Sequence, residues 1–237
     1  MNPKAKWIWK KDYTGQDIYC DFYDTFVYDS GKVTMRISAD SNYALYINGV
    51  FAESGQYADY PHYKVYDELD ITPFCRKGEN HIAIVATHCG GTFFTYYPGV
   101  AGLRYALLVE ELCVAASDET TPCRESRTYE NGLCKAITAQ LGYSFHYDIS
   151  KEDGWMEGKL EGFAPAAIVD QDLPMFLRPC KKLVWEIHGH TVCHRIIYLT
   201  HQFLILHTPG AHVKTFSMPL SHIFGGDFCG PGADFLG

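Results

Sequence analysis

The chain has 237 residues, of which 47% are hydrophobic and 15% aromatic, and its formal net charge is −8 at pH 7. This length suffices for one large all-β domain or two small ones, and the acidic balance argues against nucleic acid as a partner. No run of about eighteen apolar residues occurs, so no membrane-spanning helix or membrane partner is expected. The first residues, MNPKAKWIWKKDY, lack the apolar segment of a secretory signal. These features predict a cytoplasmic protein.

The nine cysteines are predicted to be free thiols. Their number is odd and no Cys-x-x-Cys pair occurs, whereas a disulfide framework shows an even count at tighter spacing. Free cysteines behave as small apolar side chains. We therefore expect most of them to be buried.

The first part of the chain consists of short predicted strands separated by turns. Residues 7–9 are a short aromatic strand, and residues 21–28 are a second one rich in β-forming side chains. In the third, Val33, Met35 and Ile37 share one face, which is the period-2 pattern of a half-buried strand.

A hairpin is predicted at Asn48-Gly49, a strong two-residue turn signal between two β-prone segments. Two aromatic loops follow at residues 53–63 and 88–102. Further strands are expected at residues 65–66, 80–86 and 103–109. Regularly spaced strands with turn signals between them favour a sandwich. The predicted fold is all-β: a β-sandwich of the jelly-roll, galactose-binding-like type.

The sequence patterns that predict strands are weaker between residue 112 and residue 180. Residues 134–141 and 143–147 are predicted to add two strands that close the sheets. Residues 163–169 are predicted as a final strand, and residues 177–179 as an exit linker. The sandwich is therefore expected to occupy residues 1–180.

Composition changes in residues 181–237. This segment holds seven of the eleven His but only three of the 28 acids, and it ends in FGGDFCGPGADFLG, which has many breakers and no periodicity. Two interpretations stay open: a small appended segment of doubtful order, or a non-native tail produced by a truncated or frame-shifted reading of a longer gene. Sequencing the parent gene past codon 180 separates them, because an intact frame encoding this tail contradicts the second.

Several segments resemble a known family when taken in order. The residues YALYINGVFAESGQYADYPHYKVYDELDITPFCRKGENHIAI, AITAQLGYSFHYDISKEDGW, EGFAPAAIVD and LRPCKKLV are similar to the N-terminal β-sandwich region of bacterial α-L-rhamnosidases, glycoside hydrolase family 78. The similarity runs from about residue 7 to residue 184. It depends on the ordered combination of segments, since no single motif is specific enough.

This resemblance implies an accessory, carbohydrate-binding-like domain without catalysis. In that family, hydrolysis belongs to an (α/α)₆ barrel C-terminal to the sandwich domains, and glycoside hydrolysis needs two carboxyls across the scissile bond. No part of this chain is long or helical enough to form that barrel. No catalytic residue is therefore expected here, and the absent catalytic domain of a parent enzyme is an expected partner.

The two aromatic loops supply candidate carbohydrate-binding residues. Tyrosine rings stack on the apolar face of a pyranose and carboxylates accept from its hydroxyls. The candidates, which share loop positions and these chemistries, are Tyr57, Asp59, Tyr60, His62, Tyr96 and Tyr97. The alternative is that these loops pack against a neighbouring domain or cap the sandwich, because aromatic loop residues also anchor interfaces.

Calcium is the one cofactor that the sequence suggests. Asp40, Asn42 and Asn48 provide oxygen ligands around a strand-turn-strand unit, and Ca²⁺ takes six to eight oxygens. The competing interpretation is local turn capping by Asx side chains.

Three functions stay open from the sequence. The first is a non-catalytic portion of a rhamnosidase-like enzyme that binds rhamnose-containing glycans weakly or braces the catalytic domain. The second is a stand-alone glycosidase acting on rhamnosides through a carboxylate pair such as Asp59 and Asp67. The third is a purely structural fragment whose exposed face belongs to a missing domain.

Overall fold

The computed structural model describes residues 1–56, 62–132 and 134–180, together with the backbone of three strands within residues 195–216. Its Cα positions cluster into two compact units, Met1–Lys181 and Lys182–Gly237. Among the described residues, no helix combines the length and the apolar character needed to cross a bilayer.

Strands are the main regular elements of the first unit. In chain order they are β1 (Ile8–Trp9), β2 (Ile18–Tyr28), β3 (Val33–Asp40), β4 (Asn42–Ile47), β5 (Val50–Gln56), β6 (Lys64–Asp70), β7 (Gly78–His88), β8 (Gly102–Val109), β9 (Leu112–Ala116), β10 (Pro122–Glu125), β11 (Ala136–Thr138), β12 (Gly142–Tyr143), β13 (Ala164–Pro165), β14 (Ala167–Ile168) and β15 (Met175–Leu177). The helical segments are short 3-10 turns, namely Thr72–Phe74, Ile149–Lys151 and Trp155–Glu157.

All of these strands except β11 and β12 form two sheets packed on a common core. Sheet 1 has the order β14-β1-β8-β3-β6-β15, with β9 also pairing with β8, and sheet 2 has the order β13-β10-β2-β7-β4-β5. The chain changes sheets repeatedly between β2 and β8, as a jelly-roll does. The predicted all-β sandwich is confirmed.

Alternation along the strands produces the core. Val33, Met35 and Ile37 of β3 are fully buried, as their period-2 pattern predicts. They face Phe22 and Leu45 of sheet 2 within one apolar cluster. Burying an aliphatic or aromatic side chain of this size stabilises the fold by about 1.5–3 kcal/mol. The packing of these inner faces therefore holds the two sheets together.

The predicted hairpin at Asn48-Gly49 joins β4 to β5. Both residues have positive φ, 54° and 76°, which Asn and Gly tolerate best. The Asn48 side chain donates to the Phe74 carbonyl at 3.0 Å and to Asn80 Oδ1 at 2.8 Å, and it accepts from the backbone N–H of His81 at 3.1 Å. The turn is thereby fixed to the neighbouring strand β7.

Two predictions for residues 134–180 are corrected by the structure. Residues 134–147 do not extend the main sheets, because β11 and β12 pair with each other as a separate hairpin. The single strand predicted at 163–169 is two: β13 joins sheet 2 and β14 joins sheet 1, so the chain changes sheets at Ala166. The predicted exit linker, residues 177–179, begins at the last residue of β15, which pairs in parallel with β6.

The cysteine prediction is confirmed only in part. All seven described cysteines are free thiols, but only Cys20 and Cys123 are buried. Most of the others are half-buried, and Cys180 is exposed.

The second unit contains a three-stranded antiparallel sheet. Its strands are β16 (Arg195–Leu199), β17 (Phe203–His207) and β18 (Lys214–Phe216), in that order across the sheet. The β-prone run of residues 198–207 contributes to the first two of these strands.

Candidate functional site

The two predicted aromatic loops leave the sandwich at the same end. Asp40, the last residue of β3, pairs with Gly102 at the start of β8, and Asn42 at the start of β4 pairs with Gln56 at the end of β5. His88 ends β7 beside them. We call this end the rim. It carries the β3–β4 junction, the β5–β6 loop and the β7–β8 loop of residues 89–101.

A buried carboxylate lies beneath the rim. Asp40 is 1% exposed and receives bonds from three segments. Lys64 Nζ lies 2.9 Å from Oδ2, while the Tyr96 hydroxyl donates to Oδ1 at 2.5 Å. Nδ1 of His88 lies 3.0 Å from Oδ1 and must be the donor, because an ionised carboxylate only accepts. Asp40 thus joins the start of β6, the end of β7 and the β7–β8 loop.

The Asp40 network stays ionised. Burial alone raises the pKa of Asp40, but the hydrogen bond from His88, the charge of Lys64 and the bond from Tyr96 outweigh it and lower the pKa below the ordinary value. Burial and the adjacent Asp40 charge raise the pKa of Tyr96. A buried carboxylate facing a buried ammonium, with hydrogen bonds on both oxygens, is the arrangement in which such a charge is tolerated.

The backbone of the β7–β8 loop closes over this network at Gly99. A Cβ atom at this position would lie 2.2 Å from Asp40 Oδ2 and 2.8 Å from Lys64 Nζ. Such distances leave no room for a side chain. The loop therefore approaches the ion pair as closely as a glycine permits.

The two tyrosines predicted to bind sugar in this loop have different positions. Tyr96 is 8% exposed and its hydroxyl is committed to Asp40, so it anchors the loop. Tyr97 is 56% exposed, and Phe94 at the loop tip is 79% exposed. The backbone N–H of Phe93 donates to the Tyr96 carbonyl at 3.0 Å, which turns the chain sharply between them. The loop thus presents two exposed rings on a fixed base.

The β5–β6 loop is described only at its ends. Tyr57, Asp59 and Tyr60 lie outside the described residues. His62 is exposed, and its ring meets Tyr63 edge-on with the centroids 5.1 Å apart. Tyr63 in turn meets Phe176 of β15 edge-on at 6.0 Å.

The three candidate calcium ligands are not brought together. Asn42 and Asn48 lie at opposite ends of β4, which at about 3.3 Å per residue places them roughly 20 Å apart. Asp40 is bonded to Lys64, His88 and Tyr96, and Asn48 fixes its own turn. In the described part of the chain, no group of three or more His, Cys, Asp or Glu residues is arranged to hold a metal ion.

The possible catalytic pair of Asp59 and Asp67 stays a prediction. Asp59 falls outside the described residues, whereas Asp67 is buried in β6. Asp67 accepts from the Tyr43 hydroxyl at 2.6 Å and forms an ion pair with Arg178. This carboxylate connects β6 to the segment after β15, so its role in the fold is structural.

A second buried cluster fastens the covering segment of residues 149–163 to sheet 2. Arg124 is bonded to Asp21 at 3.1 Å and to both oxygens of Asp153, at 2.6 and 3.1 Å. Its guanidinium lies 4.6 Å from the centre of the Phe163 ring. With its bonds and its ring contact satisfied, Arg124 has a structural role.

The β11–β12 hairpin is the part of the rim that the sequence did not reveal. The Phe94 backbone N–H donates a hydrogen bond of 2.8 Å to the carbonyl of Ala139, which lies in the turn of this hairpin. The rings of Phe93 and Tyr143 meet edge-on at 5.1 Å, and the Tyr143 hydroxyl donates to Gln16 Oε1 at 2.9 Å. These contacts hold the hairpin beside the β7–β8 loop. No pattern in the sequence signals contacts between segments about 45 residues apart.

Sequence comparisons find no relative for this chain. No known protein-family profile matches the sequence, and no curated protein sequence matches it significantly.

Comparison with solved structures does find similar folds. The family 78 rhamnosidase of Bacillus sp. GL1 aligns over 75% of this chain and 20% of its own, with a TM-score of 0.64 and 23% identity. The α-L-rhamnosidase of Dictyoglumus thermophilum aligns over 86% and 25%, with a TM-score of 0.60 and 18% identity. That of Aspergillus terreus aligns over 73% and 22%, with a TM-score of 0.58 and 17% identity.

This chain corresponds to only a fifth to a quarter of the length of these rhamnosidases. The resemblance noted in the sequence is thereby confirmed at the level of the fold: this chain has the β-sandwich fold of a partial region of family 78 α-L-rhamnosidases.

Proposed function

We propose that this chain is a non-catalytic carbohydrate-binding sandwich of a rhamnosidase-like protein, and that its rim binds rhamnose-containing glycans weakly. One observation carries the proposal: Tyr97 and Phe94 are exposed on a loop whose base is fixed by the buried bond between Tyr96 and Asp40. Exposed rings on a preorganised loop lose little conformational entropy when a ligand stacks on them.

Calorimetry with L-rhamnose and rhamnosylated oligosaccharides tests this function. Tyr97→Ala should weaken binding, and its unfolding midpoint should stay unchanged because the ring is exposed. Leu112→Ala is the matched control, since Leu112 is exposed at the start of β9 and pairs with Val109, at the end of β8 away from the rim. The absence of any heat at millimolar ligand contradicts glycan binding. Release of nitrophenol from an aryl rhamnoside by the purified chain contradicts the non-catalytic part.

The second candidate function is bracing of a catalytic domain, and one observation favours it. Edge strand β15 exposes about half of Phe176 and of Leu177 on neighbouring positions. Adjacent exposed apolar side chains on a sheet edge suit contact with another domain. Such a surface should promote self-association of the isolated chain. Light scattering tests this, with Phe176→Ser expected to reduce the apparent mass and Leu112→Ser expected to leave it unchanged.

A further inference from the structure

The surface of the rim is formed by two segments, of which the β11–β12 hairpin is the second. Phe94 and Tyr97 belong to the β7–β8 loop, while Ile137 and Leu141 belong to the hairpin and are 43% and 49% exposed. The backbone bond from Phe94 to Ala139 joins the two segments at their tips. The Thr95 hydroxyl also reaches the Gln140 carbonyl, at 3.4 Å. These contacts create one continuous platform.

The two segments of the platform, residues 89–103 and 136–145, carry no Asp, Glu, Lys, Arg or His side chain. Charged residues make up 20% of the chain, so about 25 residues of average composition would carry about five. Instead the exposed side chains are apolar or neutral and hydrogen-bonding, such as Thr95 and Gln140.

This neutrality limits what the platform can bind. Within residues 89–103 and 136–145 an anionic ligand would find no Lys or Arg to pair with, and it would approach a chain whose net charge is −8. A stable protein interface takes about 20–30 residues from each side, whereas only eleven residues of these two segments are exposed. A neutral saccharide has apolar ring faces for the exposed rings and hydroxyls for the amide and hydroxyl groups.

We propose that the binding surface for the glycan extends across the β11–β12 hairpin, with Leu141 and Gln140 contacting the ligand, and that it selects uncharged saccharides over those that carry uronic acids. This inference rests on the proposed function. The β7–β8 loop supplies the rings, and the hairpin supplies the second wall and an amide that donates to and accepts from hydroxyls.

The experiment compares two probes on the full chain by calorimetry. One is a neutral rhamnose-containing disaccharide, and the other is the matched disaccharide with a uronic acid in place of its neutral sugar. We expect Leu141→Ser and Gln140→Ala each to weaken binding of the neutral probe by about five-fold or more. Leu112→Ser, at the opposite end of β8, should change it by less than about two-fold. The acidic probe should bind at least about ten-fold more weakly than the neutral one.

The outcomes separate the two levels of the proposal. Loss of binding in Tyr97→Ala with full binding in both hairpin variants overturns the role of the hairpin and leaves the rim function intact. Equal binding of the two probes overturns the selection for neutral sugars. Failure of the unmodified chain to bind the neutral probe at millimolar concentration overturns the proposed function together with this inference. All variants change exposed side chains, so equal unfolding midpoints are the check that the fold is retained.

Discussion

The hydroxyl of Tyr96 donates to Oδ1 of Asp40 at 2.5 Å, across 56 residues of sequence. The same carboxylate holds Lys64 through its other oxygen. Because Lys64 begins β6 directly after the β5–β6 loop, one side chain fixes the bases of both rim loops.

Tyr96→Phe should loosen the β7–β8 loop without unfolding the sandwich. The variant keeps the ring but removes the donor, so the free energy of unfolding should fall by about 1–3 kcal/mol. Urea unfolding measures this loss, and hydrogen exchange should show faster exchange at residues 93–102 than elsewhere. Tyr97→Phe is the control, since Tyr97 is exposed. Equal stability of the two variants contradicts an anchoring role for Tyr96.

Lys64→Met should destabilise the fold more severely. It leaves the Asp40 charge buried without its ammonium partner, which costs about 3–5 kcal/mol. Adding Asp40→Asn removes that charge, so the double variant should be more stable than the sum of the two single losses predicts. A double-mutant cycle in urea measures this coupling. Simple additivity would mean that the two side chains do not act as a pair.

Acid should weaken the contribution of Asp40. Its pKa in the folded state is lowered, whereas the unfolded value is about 3.9. The stabilisation is therefore complete above the unfolded pKa and is lost as pH falls through the folded one. We expect the stability difference between the unmodified chain and Asp40→Asn to be constant from pH 7 to about pH 5 and to shrink below about pH 4. A difference that grows towards acid would contradict the lowered pKa.

Gly99→Ala should displace the loop from the ion pair. The added Cβ would fall 2.2 Å from Asp40 Oδ2, and overpacking of this kind costs about 1–3 kcal/mol. Thermal unfolding measures the loss. Val100→Ala, one residue further along at an exposed position, should leave the midpoint within experimental error. Equal unfolding midpoints for Gly99→Ala and Val100→Ala would contradict the close approach of the loop to Asp40.

Asp17→Asn should stabilise the protein at neutral pH. Burial raises the pKa of Asp17 to about 6, and its Oδ2 is buried without a hydrogen-bond partner. Because the folded state holds the proton more tightly, stability falls as pH rises from about 4 to about 6. The substitution removes that cost, worth about 3 kcal/mol at pH 7, and its benefit should vanish at pH 4. Urea unfolding at pH 4 and pH 7 measures the gain in stability. An equal gain at the two pH values would contradict the raised pKa of Asp17.

Local patterns predicted the sandwich but not the network beneath its rim. The alternation of Val33, Met35 and Ile37 and the Asn48-Gly49 turn are signals within a few residues, and the structure confirms both. Asp40 and Lys64 are 24 residues apart and come together only when β3 and β6 pair. From the sequence alone, Asp40 was interpreted as a turn cap or a calcium ligand. The residues around it give no indication that Lys64 is its partner.

The position of β15 shows the same limit. Residues 177–179 were predicted as a linker, and no strand was predicted immediately before them. A strand of three residues that ends close to a proline is too short to show a periodic pattern. In the structure β15 completes an edge of sheet 1, and Arg178 reaches Asp67 across 111 residues. The exposed hairpin Ala136–Tyr143 is a similar case, because the sequence of a short strand does not show which strand it pairs with. Its two strands were predicted to join the main sheets, whereas they pair with each other.

The division of the β7–β8 loop between anchors and exposed positions makes it a natural site for loop engineering. Tyr96 and Gly99 face the Asp40 network and would have to be kept in any graft, because each is matched to the buried carboxylate. Phe94, Thr95 and Tyr97 face solvent and are open to replacement. A library that varies only these outward positions would change what the rim recognises while it retains the scaffold, so this sandwich could present binding specificities that differ at three side chains.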